Sequence, residues 1–195
     1  MSSRGNNKHR GNDITNVRNM NLIAIFTALT AIGAFIKIPL PHLAITLQTI
    51  FVLMAGIFLG KKMGAISQLL YVLLGLIGLP IFTQGGGPSY ILKPSFGYLL
   101  GFVAAAYIVG YFLQNRTLNY INTGLASVLG TIVIYLIGVP YLYMIVNFIS
   151  GAEMSISRAL QVGLLVPLPG DIVKIVIITL TAPFINDRLK DYLNR

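Results

Sequence analysis

The chain alternates between long apolar stretches and short polar connections. Six stretches approach the about 20 mostly apolar residues that a membrane-spanning helix needs. They cover residues 19–36, 47–60, 63–79, 95–113, 120–148 and 171–189. Residues 1–17 are polar and poor in large apolar side chains, which is typical of a disordered leader. The pattern therefore predicts an all-α membrane protein, with a leader over 1–17 and a single domain of six transmembrane helices over 18–195.

Composition supports this prediction and narrows the chemistry. Of the 195 residues, 55% are hydrophobic and 10% are charged, whereas soluble domains carry about 25% charged residues. The absence of cysteine excludes disulfides and thiolate metal sites. His9 and His42 lie outside the apolar stretches, which disfavours a histidine metal or catalytic centre. We therefore expect no cofactor and no metal site.

The net charge of +9 is distributed in a way that indicates orientation in the bilayer rather than nucleic-acid binding. Cytoplasmic connections are enriched in lysine and arginine. Three cations fall on one predicted side, namely Lys37, Lys93 and Arg158. Ten fall on the other: Arg4, Lys8, Arg10, Arg18, Lys61, Lys62, Arg116, Arg188, Lys190 and Arg195. We expect a multi-pass protein of the cell membrane with both termini cytoplasmic and a capture site at its outer end.

Asp171 and Lys174 are charged residues at the start of the last apolar stretch. Their spacing of three places both side chains on one helix face. Charges within a membrane segment are costly and normally face the protein interior or a wet cavity. One interpretation is structural, with Asp171 capping the helix and pairing with Lys174. The other is contact with a ligand that presents both hydrogen-bond donors and acceptors.

Two sets of small residues are further candidates. Gly85–Gly87 lie in "QGGGPSY", which lacks the spacing of a phosphate-binding loop. These glycines either let the backbone approach a ligand or another helix closely, or form a flexible connection. Ala24 and Ala28 lie four residues apart on the first helix. Such spacing allows close helix contact in lipid, either inside this bundle or with another membrane subunit.

Three segments together resemble a known family. They are "TLQTIFVLMAGIFLGKKMGAISQLLYVLLGLIGLPIF" (46–82), "GGGPSYILKPSFGYLLGF" (85–102) and "PLPGDIVKIVI" (167–177). The chain resembles BioY, the biotin-specific substrate-binding subunits (S-components) of energy-coupling factor (ECF) transporters, over nearly its whole length after the leader. The resemblance implies a six-helix S-component that binds biotin at its extracellular side. It also implies three partners: a transmembrane coupling subunit and two ATP-hydrolysing subunits.

The resemblance also assigns roles to residues of this chain. Ala24 and Ala28 match the alanine face with which S-components dock on the coupling subunit, and residues 37–46 match the loop that covers the ligand. With biotin as the ligand, our hypothesis is that Asp171 accepts a hydrogen bond from a ureido N–H and that Lys174 donates to a biotin oxygen. Further candidate ligand contacts are Lys93, Tyr90, Gln48 and the backbone at Gly86.

Other functions stay open at this point. An S-component for riboflavin or thiamin would favour stacking side chains, and the chain has no tryptophan. An intramembrane enzyme using Asp171 and Lys174 as an acid–base pair would lack the second carboxylate that an aspartyl protease needs. We predict no catalytic residue. A structural membrane protein that assembles other subunits through its small-residue faces would bind no small molecule.

Overall fold

The computed structural model describes residues 16–39 and 43–193, with side chains through residue 188. The predicted leader therefore lies almost wholly outside the described residues. Within them, five helical stretches are long and apolar enough to cross a membrane. Four of these are the helices α1 (Val17–Phe35), α2 (Gln48–Leu76), α3 (Phe96–Leu113) and α4 (Tyr120–Phe148). The fifth stretch, Ile156–Arg188, joins a short helix α5 (Ile156–Leu160), a π-helical turn (Gln161–Leu165) and most of α6 (Leu168–Leu193).

Helix α2 is interrupted at Gly60, where the chain reverses direction. Gly60 has φ 75° and ψ −179°, a conformation that glycine adopts without steric cost. Gln48 Nε2 donates to the Tyr71 hydroxyl at 2.7 Å, although a continuous helix would separate these residues by about 35 Å. Gly60 therefore divides α2 into two antiparallel segments, 48–60 and 61–76. The break coincides with Lys61 and Lys62, which form a basic turn between the second and third apolar stretches of the sequence.

The remaining helix boundaries follow the sequence pattern closely. Helix α3 begins one residue after the predicted start, and α4 has the predicted bounds. Helix α6 begins at Leu168, three residues before the expected start at Asp171. Pro169 allows this earlier start because the first helical turn needs no N–H from that residue. Asp171 consequently lies within the first turn of α6 and not at the capping position that the structural interpretation gives it.

The connection after α1 forms a small antiparallel hairpin. Strand β1 (Lys37–Pro39) pairs with strand β2 (Ala44–Thr46), with Ile38 opposite Ile45. Leu43, just before β2, is buried in a cluster with Leu142, Val146, Met154 and Ala159 from α4, α5 and the segment between them. Apolar packing of Leu43 therefore anchors the hairpin against the bundle, and strand pairing holds its two strands together.

Polar contacts fasten α1 to the second segment of α2. The Thr27 hydroxyl donates to the Ser67 carbonyl at 2.9 Å, and the Thr30 hydroxyl donates to Gln68 Oε1 at 3.2 Å. Lipid removes most of the hydrophobic drive for helix association, so close packing and such hydrogen bonds hold the helices together. The apolar part of the core comprises one cluster formed mainly by α2, α3 and α4 and another that adds Ile178 and Ala182 of α6.

Candidate ligand-binding site

A cavity lies where the β1–β2 hairpin meets one end of the helix bundle. Residues 43–46 of the hairpin form one side, and the starts of α2 and α6 contribute Gln48, Thr49, Asp171 and Lys174. Helices α3 and α4 add mainly apolar and aromatic side chains. These are Tyr98, Leu99, Phe102, Ile134 and Tyr135. An apolar wall with a few converging polar groups is the usual character of a small-molecule site in a protein.

The charged pair predicted from the sequence lies buried on the cavity wall. Asp171 and Lys174 are 7% and 6% exposed. Lys174 Nζ donates to Asp171 Oδ1 at 2.6 Å, and the Tyr135 hydroxyl donates to the other carboxylate oxygen, Oδ2. A carboxylate has about four acceptor positions and an ammonium has three N–H donors. The pair is therefore internally neutral and keeps both accepting and donating capacity for a ligand.

Gln48, the second predicted contact at the cavity, has its side-chain amide held on both sides. The Thr46 hydroxyl donates to Gln48 Oε1 at 3.2 Å, and Gln48 Nε2 donates to the Tyr71 hydroxyl at 2.7 Å. Tyr71 in turn donates to the Ile81 carbonyl at 3.0 Å. This chain of hydrogen bonds orients the amide of Gln48 at the wall and ties the hairpin to both segments of α2.

Three other predicted contacts lie off the described cavity wall. Tyr90 is buried, and its hydroxyl oxygen lies 2.8 Å from Thr83 Oγ1 and 3.2 Å from Ser95 Oγ. Because Thr83 and Ser95 line the cavity, Tyr90 contacts two wall residues without lining the cavity itself. The Lys93 side chain is exposed. Ligand contact by Tyr90 and Lys93 stays a prediction that this geometry does not favour.

Gly86, the third of these contacts, approaches a helix instead of the cavity. A β-carbon at this position would lie 2.1 Å from the Leu79 carbonyl oxygen, so a side chain does not fit there. The Gly87 N–H donates to the Gly75 carbonyl at 2.7 Å, which fixes the same loop to the end of α2. Of the alternatives for the glycine loop, the geometry favours close backbone approach to a helix. Ligand contact at Gly86 stays a prediction.

The two tyrosines that α3 and α4 contribute to the cavity were not predicted from the sequence. Tyr135 donates to Asp171, and the Tyr98 hydroxyl donates to the Gly163 carbonyl in the π-helical turn at 2.7 Å. Tyr98 thereby fixes the segment that leads into α6 and positions Asp171. A buried tyrosine hydroxyl normally finds a partner, so tyrosines inside apolar stretches were a signal for polar contacts. The hydroxyl groups of Thr46, Thr49, Thr83 and Ser95 were also missed.

The fold and the cavity agree with the proteins to which this chain is similar. The BioY family model matches residues 6–191. The chain belongs to the BioY family. A protein of Lysinibacillus sphaericus named as a probable biotin transporter BioY is 48% identical over 145 residues, which is 73% of each chain. The biotin transporter BioY of Thermotoga maritima is 36% identical over 169 residues, covering 85% of this chain and 94% of that one.

A solved structure supports membership of the BioY family at the level of the fold. The S-component for biotin from an ECF-type ABC transporter has a TM-score of 0.76 and 29% sequence identity to this chain. The similarity covers 90% of this chain and 95% of the solved one. This BioY-family protein is thus a multi-pass membrane protein with an S-component fold. Its relatives are named as transporters, which argues against the enzyme hypothesis for Asp171 and Lys174.

Proposed function

We propose that this protein captures biotin as the S-component of an ECF-type vitamin transporter. The observation that carries the proposal is the buried Asp171–Lys174 pair on the wall of a cavity that is otherwise largely apolar. Biotin combines an apolar ring and chain with a ureido group that both donates and accepts, and with a carboxylate. The cavity offers the matching groups: apolar side chains, an acceptor, a donor and several hydroxyls.

In the proposed complex, Asp171 accepts a hydrogen bond from a ureido N–H and Lys174 donates to an oxygen of biotin. Support comes from the free capacity of both groups and from their burial, since desolvated charge-assisted hydrogen bonds are stronger than exposed ones. Gln48 is the proposed third polar contact, because its amide lies at the wall in an orientation set by Thr46 and Tyr71.

Binding of biotin requires the cavity to expand. The cavity measures about 70 Å³, whereas pockets for small molecules begin at about 300 Å³. The β1–β2 hairpin is the proposed moving part because its strands have three residues each and it forms one whole side of the cavity. The described attachments of the hairpin to the bundle are Leu43 packing, Lys37 Nζ donation to the Thr83 carbonyl, and Thr46 hydroxyl donation to Gln48 Oε1.

The proposal includes six membrane passes, both termini in the cytoplasm and a docking face on α1. The reversal at Gly60 supports six passes because it turns α2 into two antiparallel segments. The distribution of cations supports the orientation. Ala24 and Ala28 are exposed on α1, on the side away from buried Thr27 and Thr30. They are the proposed contact with the coupling subunit, whose two ATPase partners would drive import.

A titration of the purified protein with biotin tests the proposal. We expect saturable binding with one biotin per chain, measured by isothermal titration calorimetry in detergent. Riboflavin and thiamin at the same concentrations serve as controls and are expected to give no binding heat. Tighter binding of either vitamin than of biotin would replace the proposed ligand. A failure of all three to bind would favour the structural hypothesis.

A further inference from the structure

The end of the bundle opposite the cavity carries cations at two neighbouring turns. Lys61 and Lys62 follow the reversal at Gly60, and Arg116 lies just after α3. Helix α3 runs from the cavity to this end over 18 residues, which corresponds to about 27 Å. These cations are therefore far from Asp171 and Lys174 and take no part in the proposed biotin site.

Two adjoining hollows bring the cations together. Lys61 and Gln114 line both of them; Lys62 lines one, and Arg116 lines the other. We call the combined surface the basic hollow, defined by Lys61, Lys62, Gln114 and Arg116. A β-carbon at Gly110 would lie 2.2 Å from the Lys61 backbone nitrogen, so the Gly60 turn packs directly on α3. This close contact fixes where the cations stand relative to one another.

Aromatic rings hold two of the cations in place. Lys61 Nζ lies 5.0 Å from the centre of the Tyr111 ring, and the Arg116 guanidinium lies 4.2 Å from the centre of the Phe112 ring. Stacking of this kind restrains long flexible side chains while leaving their N–H donors available. The basic hollow is therefore more ordered than a group of freely solvated lysines.

The cations of the basic hollow have no acidic partner among the described side chains. The acids whose side chains are described are Glu153, Asp171 and Asp187, and within this set the one ion pair is that of Asp171 with Lys174. The charge of Lys61, Lys62 and Arg116 is thus uncompensated inside the described part of the chain. A bound anion would supply the missing compensation.

We propose that the basic hollow binds the phosphate headgroup of an anionic phospholipid. Basic hollows between transmembrane helices at the membrane surface recognise such headgroups, and arginine matches phosphate with paired N–H donors. A lipid source is favoured over a soluble anion because apolar side chains border the same hollow, among them Phe58, Ile108 and Leu129. Tyr111, next to Lys61, is 62% exposed on the bundle surface, where it would meet an acyl chain.

Native mass spectrometry of the full chain in detergent tests this site with matched lipids. Phosphatidylglycerol and phosphatidylcholine carrying the same acyl chains are the two probes. We expect the unaltered protein to bind phosphatidylglycerol at least about tenfold more tightly than phosphatidylcholine. The double variant Lys61→Gln/Arg116→Gln should bind phosphatidylglycerol roughly thirtyfold more weakly, the loss expected for two interfacial cations.

The matched control is Arg18→Gln/Arg188→Gln, which removes the same charge outside the hollow. Arg188 also stacks on a ring, that of Phe184 at 5.2 Å. Retention of the lipid preference in this control supports the proposal, and an equal loss in both double variants overturns it. Equal binding of phosphatidylglycerol and phosphatidylcholine would also overturn the proposal. A protein partner would then be the expected contact of these cations. Displacement of the lipid by inorganic phosphate would identify a soluble anion as the ligand instead.

Folding of each variant is checked by its melting temperature, measured in detergent without added lipid or biotin because bound ligands raise the melting temperature. Biotin affinity should stay within about twofold in both double variants, because the basic hollow lies at the far end of α3 from the cavity. The two experiments therefore test the two proposals independently. An absent lipid preference would leave the biotin proposal intact, and an absent biotin heat would leave the lipid proposal intact.

Discussion

Two buried polar clusters inside the bundle differ in what they adjoin. The first, formed by Tyr135, Asp171 and Lys174, lies on the wall of the cavity. The second links α1 to α2 through Thr27, Thr30, Ser67 and Gln68, all of which are buried. Within the second cluster, Gln68 Nε2 also donates to Ser67 Oγ at 3.1 Å. Both clusters place polar groups in a membrane protein, yet only the first borders the cavity.

The difference separates a binding site from helix-to-helix attachment. The α1–α2 cluster is uncharged, and its hydrogen bonds join two packed helices. The Asp171–Lys174 cluster contains a full ion pair, whose desolvation is costly unless further hydrogen bonds offset it. Attachment of one helix to another does not require a buried ion pair or its desolvation. A charged pair next to a cavity is therefore a stronger indication of ligand binding than buried polarity alone.

Replacing Asp171 by Asn should have the largest effect on biotin binding. The change leaves the Lys174 ammonium buried without its acidic partner and weakens the proposed acceptor for the ureido group. A lost hydrogen bond in a buried site costs about 1–3 kcal/mol, so affinity should fall roughly tenfold to more than a hundredfold in a calorimetric titration. Asp187→Asn is the matched control, because Asp187 is an exposed acid on the same helix. Unchanged affinity in Asp171→Asn would refute the ligand role of this cluster.

Tyr135→Phe should weaken biotin binding less, by about two- to tenfold. It keeps the ring but removes the hydroxyl that donates to Asp171, and a typical hydrogen bond contributes about 0.5–1.5 kcal/mol. Affinity is again measured by calorimetry. The control is Tyr107→Phe in α3, where the ring is 44% exposed. Equal effects of the two changes would show that Tyr135 does not act through the carboxylate.

Gln68→Leu tests the second cluster and should act on stability alone. Hydrogen bonds between transmembrane helices contribute about 0.6 kcal/mol on average, so we expect a lower melting temperature in detergent. Biotin affinity should stay within about twofold of that of the unaltered protein. Should affinity fall tenfold or more, the distinction between the two clusters would not hold.

Lys93→Gln should have the smallest effect. Its side chain is exposed and lies off the described cavity wall, and surface substitutions usually change free energies by less than about 0.5 kcal/mol. Biotin affinity should therefore change by less than about twofold. A tenfold loss would instead restore the sequence-based prediction that Lys93 contacts the ligand, and would mean that the loop before α3 moves toward the cavity on binding.

The contrast between Asp171 and Tyr135 shows how far the sequence could predict the site. Asp171 and Lys174 are one helical turn apart, so helix periodicity alone places them together. Tyr135 lies 36 residues from Asp171, and their contact depends on how α4 packs against α6. No local pattern encodes that packing. Residues contributed by a single element were therefore predictable, and contacts between different elements were not.

The same limit applies to the fold. The bounds of α4 were predictable because the polar segment 114–119 precedes a long, mostly apolar run without charged residues. The chain reversal at Gly60 was predictable because Lys61 and Lys62 separate two apolar stretches. In contrast, the glycine loop at 85–87 had two possible neighbours, a ligand or a helix. The choice depends on the position of Leu79 and Gly75 in the folded chain, which the sequence of the loop does not specify.

The neutrality of the Asp171–Lys174 pair has an electrical consequence. Since the two charges cancel, a ligand that carries a carboxylate, as proposed for biotin, would bring its own negative charge into the voltage drop across the membrane. Moving one charge across 100 mV amounts to about 2.3 kcal/mol. An inside-negative cell would oppose inward movement of that anion, so accumulation of the ligand beyond its electrochemical equilibrium would require coupling to an energy source.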